Sequence, residues 1–209
     1  MNLRLPEIEK YPDSLDDNKL DDWFEEENKT TKGKGRLYER YIGYLLETQY
    51  YEVNYLGIKR KSKDDGIDLI ASDDESTWVI QCKNYEKYKK VPVQEIREHK
   101  TVVDTYAKNH PDKKVLGAFF VTSDFTEPSK IAAKEFEISI FQVKLPARFP
   151  VIKCEKENNY LLPTDDAVYD FHNLKIKIGD CYCLTINEAI KKGFTYHREY
   201  PKPYKKAKS

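Results

Sequence analysis

DDGIDLIASDDESTWVIQCK, residues 64–83, reads as two β-strands joined by a polar turn. Residues 66–71 form the first expected strand, 72–76 the turn and 77–83 the second. Side chains alternate faces along a strand. Trp78, Ile80 and Cys82 therefore share one face, whose apolar character marks it as buried, while Gln81 and Lys83 share the other. On the first strand Ile67 and Leu69 point one way and Asp68 the other. A hairpin that turns its apolar faces together gathers Asp68, Gln81 and Lys83 on one surface. A carboxylate, an amide oxygen and an ammonium side by side suit a hard cation and a phosphate. Asp64, Asp65, Asp73 and Asp74 read as turn residues, with Asp65 close enough to stand in reserve as a ligand.

Upstream, residues 36–49 carry helical periodicity. At ~100° per residue, Leu37, Tyr38, Tyr41, Ile42, Tyr44, Leu45 and Leu46 fall on one broad arc. Glu39 lies at the edge of that arc, whereas Arg40 and Glu47 point to the far side. A carboxylate at the margin of a buried face can reach a site beneath the helix; the alternative is a solvated Glu paired with a nearby base. Before this helix, residues 17–30 suggest a short acidic helix burying Leu20, Trp23 and Phe24, ended by the Gly-bearing stretch 31–35. After it, residues 51–57 alternate like a strand and lead into the basic loop 59–63.

Downstream of the hairpin comes a basic, tyrosine-rich loop, residues 84–90. Pro92 then suits the first turn of a helix running to about Asn109. Residues 115–122 are a continuous apolar run, as expected of a strand covered on both faces. A helix over 129–136 and a strand over 138–143 complete an α-β-β-β-α-β-α-β order. The expected class is α/β, a three-layer core with a central mixed sheet flanked by helices, followed by a small C-terminal α+β appendage.

The combination G-I-D-L-I, a short hairpin and I-Q-C-K-N-Y resembles the active-site core of PD-(D/E)xK nucleases. It is most similar to the Mrr-like restriction endonuclease branch, where Gln replaces the acid of the E-x-K element. The phrase F-V-T-S-D-F-T before an Ala-bearing helix fits the same pattern, and the resemblance runs from about Gly35 to about Gln142. It implies a Mg2+-dependent DNA endonuclease of restriction or defence type, with Mn2+ able to substitute. It also implies Asp68 as principal metal ligand, Gln81 as an amide-oxygen ligand, the backbone carbonyl of Cys82 as a further one, and Glu39 binding directly or through water. Lys83 would orient the attacking water or stabilise phosphate charge. Two other readings stay open: a junction- or end-specific repair nuclease or nuclease part of a larger restriction system, and a catalytically weak DNA-binding accessory protein.

Charge supports a nucleic-acid partner only locally. The 36 basic and 36 acidic residues cancel, which argues against an indiscriminate polycation. The basic residues nevertheless cluster beside the proposed site: Lys59, Arg60, Lys61 and Lys63 on one side, Lys87, Lys89 and Lys90 on the other. These are the expected contacts to double-stranded DNA, with simple solvation as the alternative. Double-strand cleavage needs two sites, so a homodimer, or dimerisation on DNA, is expected. No Walker-type phosphate loop occurs in the sequence, which leaves a motor or modification subunit as a separate partner.

No run approaches the ~18 apolar residues of a membrane span, and the N-terminal residues lack a signal-peptide core. Four cysteines without framework spacing suggest a reducing, cytoplasmic setting. The expected division is an arm with the acidic helix over 1–33, the nuclease-like domain over 34–145, and a recognition or dimerisation module with a disordered basic tail over 146–209. Parts of this last region faintly resemble the small metal-binding fold of Ada-type repair proteins, but Leu161 and Asp165 stand where ligands belong. Cys154, Cys181, Cys183, His172 and His197 have zinc-binding side chains, yet Cys-x-Cys with scattered His is poor ligand spacing. An α+β appendage without zinc is the favoured reading.

Overall fold

The structure is a computed structural model and describes residues 18–59, 66–155, 159–161 and 181–196. Two compact units emerge: one spans Glu27–Ala147, and the other combines Arg148 onward with the segment that ends at Glu26.

The first unit is built on a five-stranded mixed sheet. Its strands are β1 (Glu52–Tyr55), β2 (Leu69–Ser72), β3 (Thr77–Lys83), β5 (Val115–Val121) and β7 (Ile138–Gln142), hydrogen-bonded in the order β1-β2-β3-β5-β7. The first three run antiparallel and the last three parallel. Helices α2 (Thr31–Glu47), α3 (Leu56–Lys59), α4 (Val93–Asn109) and α5 (Glu127–Glu135) accompany it, with a two-stranded parallel patch of β4 (Lys90–Val91) and β6 (Asp124–Phe125). The apolar run 115–121 becomes β5 and lies between β3 and β7, where Ala118, Phe119, Phe120 and Val121 are fully buried. A single-faced strand would not tolerate four consecutive apolar side chains; a strand packed on both faces requires them.

The hairpin takes the expected register, Leu69 opposite Ile80 and Ile70 opposite Val79. Its second face is not open along its length. Val79, on the face of Gln81, is fully buried and packs with Ile70, Ile96, Val103 and Phe119. Only the end of β3, at Gln81 and Lys83, reaches half-buried surroundings.

Helix α2 starts at Thr31 and runs through the glycines read above as a breaker. Thr30 caps it, its hydroxyl oxygen accepting from the Gly33 N–H at 2.9 Å. Gly33 is demanded by a close approach: a Cβ there would meet the Glu27 carbonyl oxygen at 2.0 Å. The ~1 kcal/mol helix penalty of a glycine is thus accepted for contact with the preceding chain. Glu47, expected on the outer side, is only 3 % exposed; α2 is covered more widely than one arc, a property set by its neighbours and not by its own periodicity. Tyr38 anchors the helix by donating its buried hydroxyl to the Val143 carbonyl at 2.9 Å.

In the second unit, α1 (Asn18–Asn28) buries Leu20 and Phe24, the latter edge-to-face on Phe149 with ring centroids 5.6 Å apart. Asp21 and Arg148 form an ion pair. A small sheet orders β10 (Cys181–Cys183), β8 (Ile152–Glu155), β9 (Asn159–Leu161) and β11 (Thr195–Tyr196), with the short helix α6 (Ile186–Lys191). No described helix is long and apolar enough to cross a membrane.

Candidate active site

Asp68 is fixed by its backbone before its side chain does anything. Its N–H donates to the Ile80 carbonyl at 3.0 Å, extending the hairpin ladder by one residue. Its own carbonyl accepts from the N–H groups of Leu56 and Gly57, at 2.8 and 3.0 Å. Those are first-turn amides of α3, which have no partner within their own helix. The residue is 9 % exposed.

The two carboxylate oxygens have different surroundings. Oδ2 accepts from the Cys82 N–H at 2.7 Å and from the side-chain amide of Gln81. The Gln81 nitrogen faces Asp68, which leaves the amide oxygen on the other side of the group. Oδ1 faces Gly57, and so does Oε2 of Glu39: a Cβ on Gly57 would lie 3.0 Å from the first and 2.7 Å from the second. Two carboxylates from separate elements therefore converge on a space that exists because residue 57 has no side chain. Two like charges so close repel each other, and a divalent cation relieves that repulsion. Hard oxygen donors are also what such a cation takes. The residues present fit the divalent metal that PD-(D/E)xK nucleases generally use.

Cys82 sits among these groups. Its thiol is pushed up by burial first, then by the charges of Asp68 and Glu39, with Lys83 opposing. The same four residues that share this field are those singled out around the hairpin and the first helix. Lys83, half-buried at the end of β3, is tied to the next segment through its carbonyl, which accepts from the Thr122 N–H at 3.1 Å. Behind the sheet, His99 on α4 is 2 % exposed and stands edge-to-face on Phe119. Burial pushes its imidazole down to about 4, partly offset by the Ala118 and Val79 carbonyls and assisted by the Lys83 charge. It remains neutral throughout the physiological range.

The basic loops have mixed fates. Lys87, Lys89 and Lys90 are exposed. Lys89 Nζ stands 3.8 Å over the Tyr85 ring, Lys87 Nζ 5.8 Å over Tyr88, and Lys90 pairs with Asp124 at 3.1 Å. The loop is pinned at its base, where the Tyr85 N–H donates to the Thr122 hydroxyl at 2.8 Å and the Tyr85 hydroxyl to Glu95 at 2.6 Å. The Lys59 side chain, Arg60, Lys61, Lys63 and the reserve residue Asp65 lie outside the described residues. Asp73 accepts from the N–H groups of Glu75 and Ser76, at 2.9 and 2.7 Å, and serves the turn.

Sequence reasoning missed Gly57 and the Leu56 and Gly57 amides. Gly57 stood out only as the end of an alternating strand, and no pattern of side chains announces which backbone amides will be free. It also missed Asn84, whose amide donates to the Lys34 carbonyl at 3.1 Å and ties the tyrosine-rich loop to α2.

A family model described as restriction endonuclease, of the Mrr catalytic type, matches residues 31–145. No curated protein matches. Among solved structures, a repair endonuclease from Pyrococcus abyssi is 16 % identical with a TM-score of 0.38, over 66 % of this chain and 50 % of that one. The MspJI restriction endonuclease with a 27-mer oligonucleotide is 11 % identical with a TM-score of 0.40, over 66 % of this chain and 33 % of that one. EndoMS with double-stranded DNA is 16 % identical with a TM-score of 0.36, over 46 % and 37 %. The chain spans no more than half the length of any of these three.

Proposed function

This chain belongs to the Mrr-type restriction endonuclease family, and from that premise we propose that it is a Mg2+-dependent endonuclease of double-stranded DNA, of restriction or defence type. The observation that carries the reading is the convergence of Asp68 Oδ1 and Glu39 Oε2 beside Gly57. Asp68 and Glu39 would hold the cation, with the Cys82 carbonyl and, once its amide turns over from its present hydrogen bond to Asp68, the Gln81 oxygen as weaker donors; Mn2+ would be accepted in its place. When bound, the metal supplies Lewis-acid polarisation of the phosphate and offsets charge in the transition state.

The chain's own residues do the rest. The Cys82 N–H and Gln81 amide on Oδ2 hold the Asp68 carboxylate in place and aim Oδ1 at the shared space. The Lys83 ammonium, on the same strand end, orients the attacking water or balances phosphate charge. Lys87 and Lys89 are proposed to contact the DNA backbone, while Lys90 is already engaged by Asp124. Cleaving both strands requires two sites, so assembly into a homodimer, alone or on DNA, belongs to the proposal. The C-terminal unit would serve recognition or dimerisation.

The test is cleavage of methylated and unmethylated supercoiled plasmid with Mg2+ or Mn2+, beside EDTA and Lys83→Ala controls. Metal-dependent nicking or linearisation that Lys83→Ala abolishes is the expected result. A plasmid that stays intact with either metal, while still bound by the protein, would overturn nuclease activity in favour of an accessory DNA-binding role.

A further inference from the structure

The C-terminal unit contains a cluster that the nuclease reading does not use. Cys154 on β8 is directly opposite Cys181 on β10 in the antiparallel register, and Cys183 follows two residues along β10. Opposite residues share a face, as do residues two apart on one strand. The three thiols therefore project together, and their sulfur atoms all lie within 4.8 Å of one another. Cys154 and Cys183 are completely buried, and their sulfurs are 3.3 Å apart.

We propose that Cys154, Cys181 and Cys183 form a three-thiolate site for a thiophilic divalent cation, Zn2+ by its chemistry, with a fourth coordination position left for water or an exogenous ligand. Tetrahedral zinc with Zn–S bonds of about 2.3 Å sets its sulfurs about 3.8 Å apart. The 3.3 Å pair and the 4.8 Å limit bracket that spacing, so side-chain adjustments alone suffice to close the site.

The surrounding architecture gives the metal a purpose. The sheet's strands have four, three, three and two residues, and the helix against it six. Elements this short bury little apolar surface, and small cores are commonly stapled by metal or disulfide. The Cys-x-Cys spacing looked poor because the third sulfur comes from a strand far upstream, joined to the pair only by register.

The test uses the full-length protein and Co2+ as a spectroscopic substitute for zinc. The expected result is one thiolate-bound Co2+ per chain, read from thiolate-to-cobalt charge-transfer absorption and tetrahedral ligand-field bands and displaced by Zn2+. Cys181→Ser, at the half-exposed ligand, is expected to weaken Co2+ binding and lower the charge-transfer intensity per cobalt, with a melting temperature that zinc no longer raises as it does in the parent. Because carboxylate ligands give no thiolate band, Asp68→Asn should leave the signal intact. Absence of the charge-transfer bands, undiminished bands and affinity in Cys181→Ser, or a Cys154–Cys183 disulfide in the protein as purified would each overturn the proposal. The experiment stands or falls independently of DNA cleavage.

Discussion

Replacing Gly57 by alanine separates the candidate site from the fold. The added Cβ would stand 2.7 Å from Glu39 Oε2 and 3.0 Å from Asp68 Oδ1. The shorter contact is roughly 0.7 Å inside ordinary van der Waals contact, which begins at 3.4 Å. Asp68 is fixed by three backbone hydrogen bonds and the Cys82 N–H, so it does not yield. Glu39 ends a flexible side chain and retreats instead. An off-rotamer side chain costs about 0.5–1.5 kcal/mol. Against this, alanine in the first turn of α3 gains about 0.4–1 kcal/mol by restricting the unfolded chain. The net change in stability is within about 1 kcal/mol, a shift in Tm of about 2–4 °C for a chain of this size. Activity responds far more strongly, because a 1 Å misplacement costs on the order of 100-fold. A retreat of half that or more implies roughly 10- to 100-fold slower nicking, with a higher Mg2+ requirement. Plasmid nicking at varied Mg2+, alongside thermal melting, reads both quantities. Wild-type rate and metal dependence in Gly57→Ala would refute the assignment of this space as the cation site. A Tm loss beyond about 8 °C would place the cost in the fold and refute the retreat of Glu39.

Other consequences concern single residues. His99, ordinarily near 6.5 and held to about 4 here, adds little pH dependence above about 7.5, where folded and unfolded states are both neutral. As pH falls to 4 the unfolded chain takes a proton that the folded one refuses, so stability drops by about 3 kcal/mol. Denaturant melts at pH 7 and pH 4 should show that loss in the parent relative to His99→Leu, and parallel behaviour would refute it. Tyr38→Phe leaves the buried Val143 carbonyl without its hydroxyl donor and should destabilise by about 1–3 kcal/mol in the same melts. Lys89→Ala should weaken DNA binding and lower the salt slope by about 1. Lys90→Ala, whose ammonium Asp124 already neutralises, should change that slope less in fluorescence-anisotropy titrations.

Legibility in the sequence followed the range of the interactions involved. Strands β3 and β5 stand where alternation and an unbroken apolar run placed them, because both patterns are written in adjacent side chains. The start of α2 was misread, because the need for Gly33 arises from the Glu27 carbonyl and not from the helix itself. Glu47 was placed in solvent because a helical wheel knows one covering partner, whereas α2 has more. Gln81 and Lys83 suggest a polar second face for the hairpin, yet Val79, two residues before Gln81, is sealed by α4. Gly57 and the three-sulfur cluster were illegible for a shared reason: each depends on segments distant in sequence being brought into register.

The exchange of Glu for Gln at position 81 gains a physical sense from this geometry. A glutamate there would set a third carboxylate against Asp68, whose Oδ2 now accepts from the Gln81 amide. With two acids already converging beside Gly57, a third would raise the affinity of the group for protons as well as for metal. Gln81 instead donates to one oxygen of Asp68 and adds no charge beside it. In the proposed site, the charge that Gln81 does not bring to the cation would be recovered partly from Glu39, which α2 delivers from outside the hairpin and whose neighbour Tyr38 anchors that helix through Val143. On that proposal the hairpin alone would be an incomplete site: the first helix would be as much a part of it as the strand pair, and α3 would contribute two amides and one missing side chain.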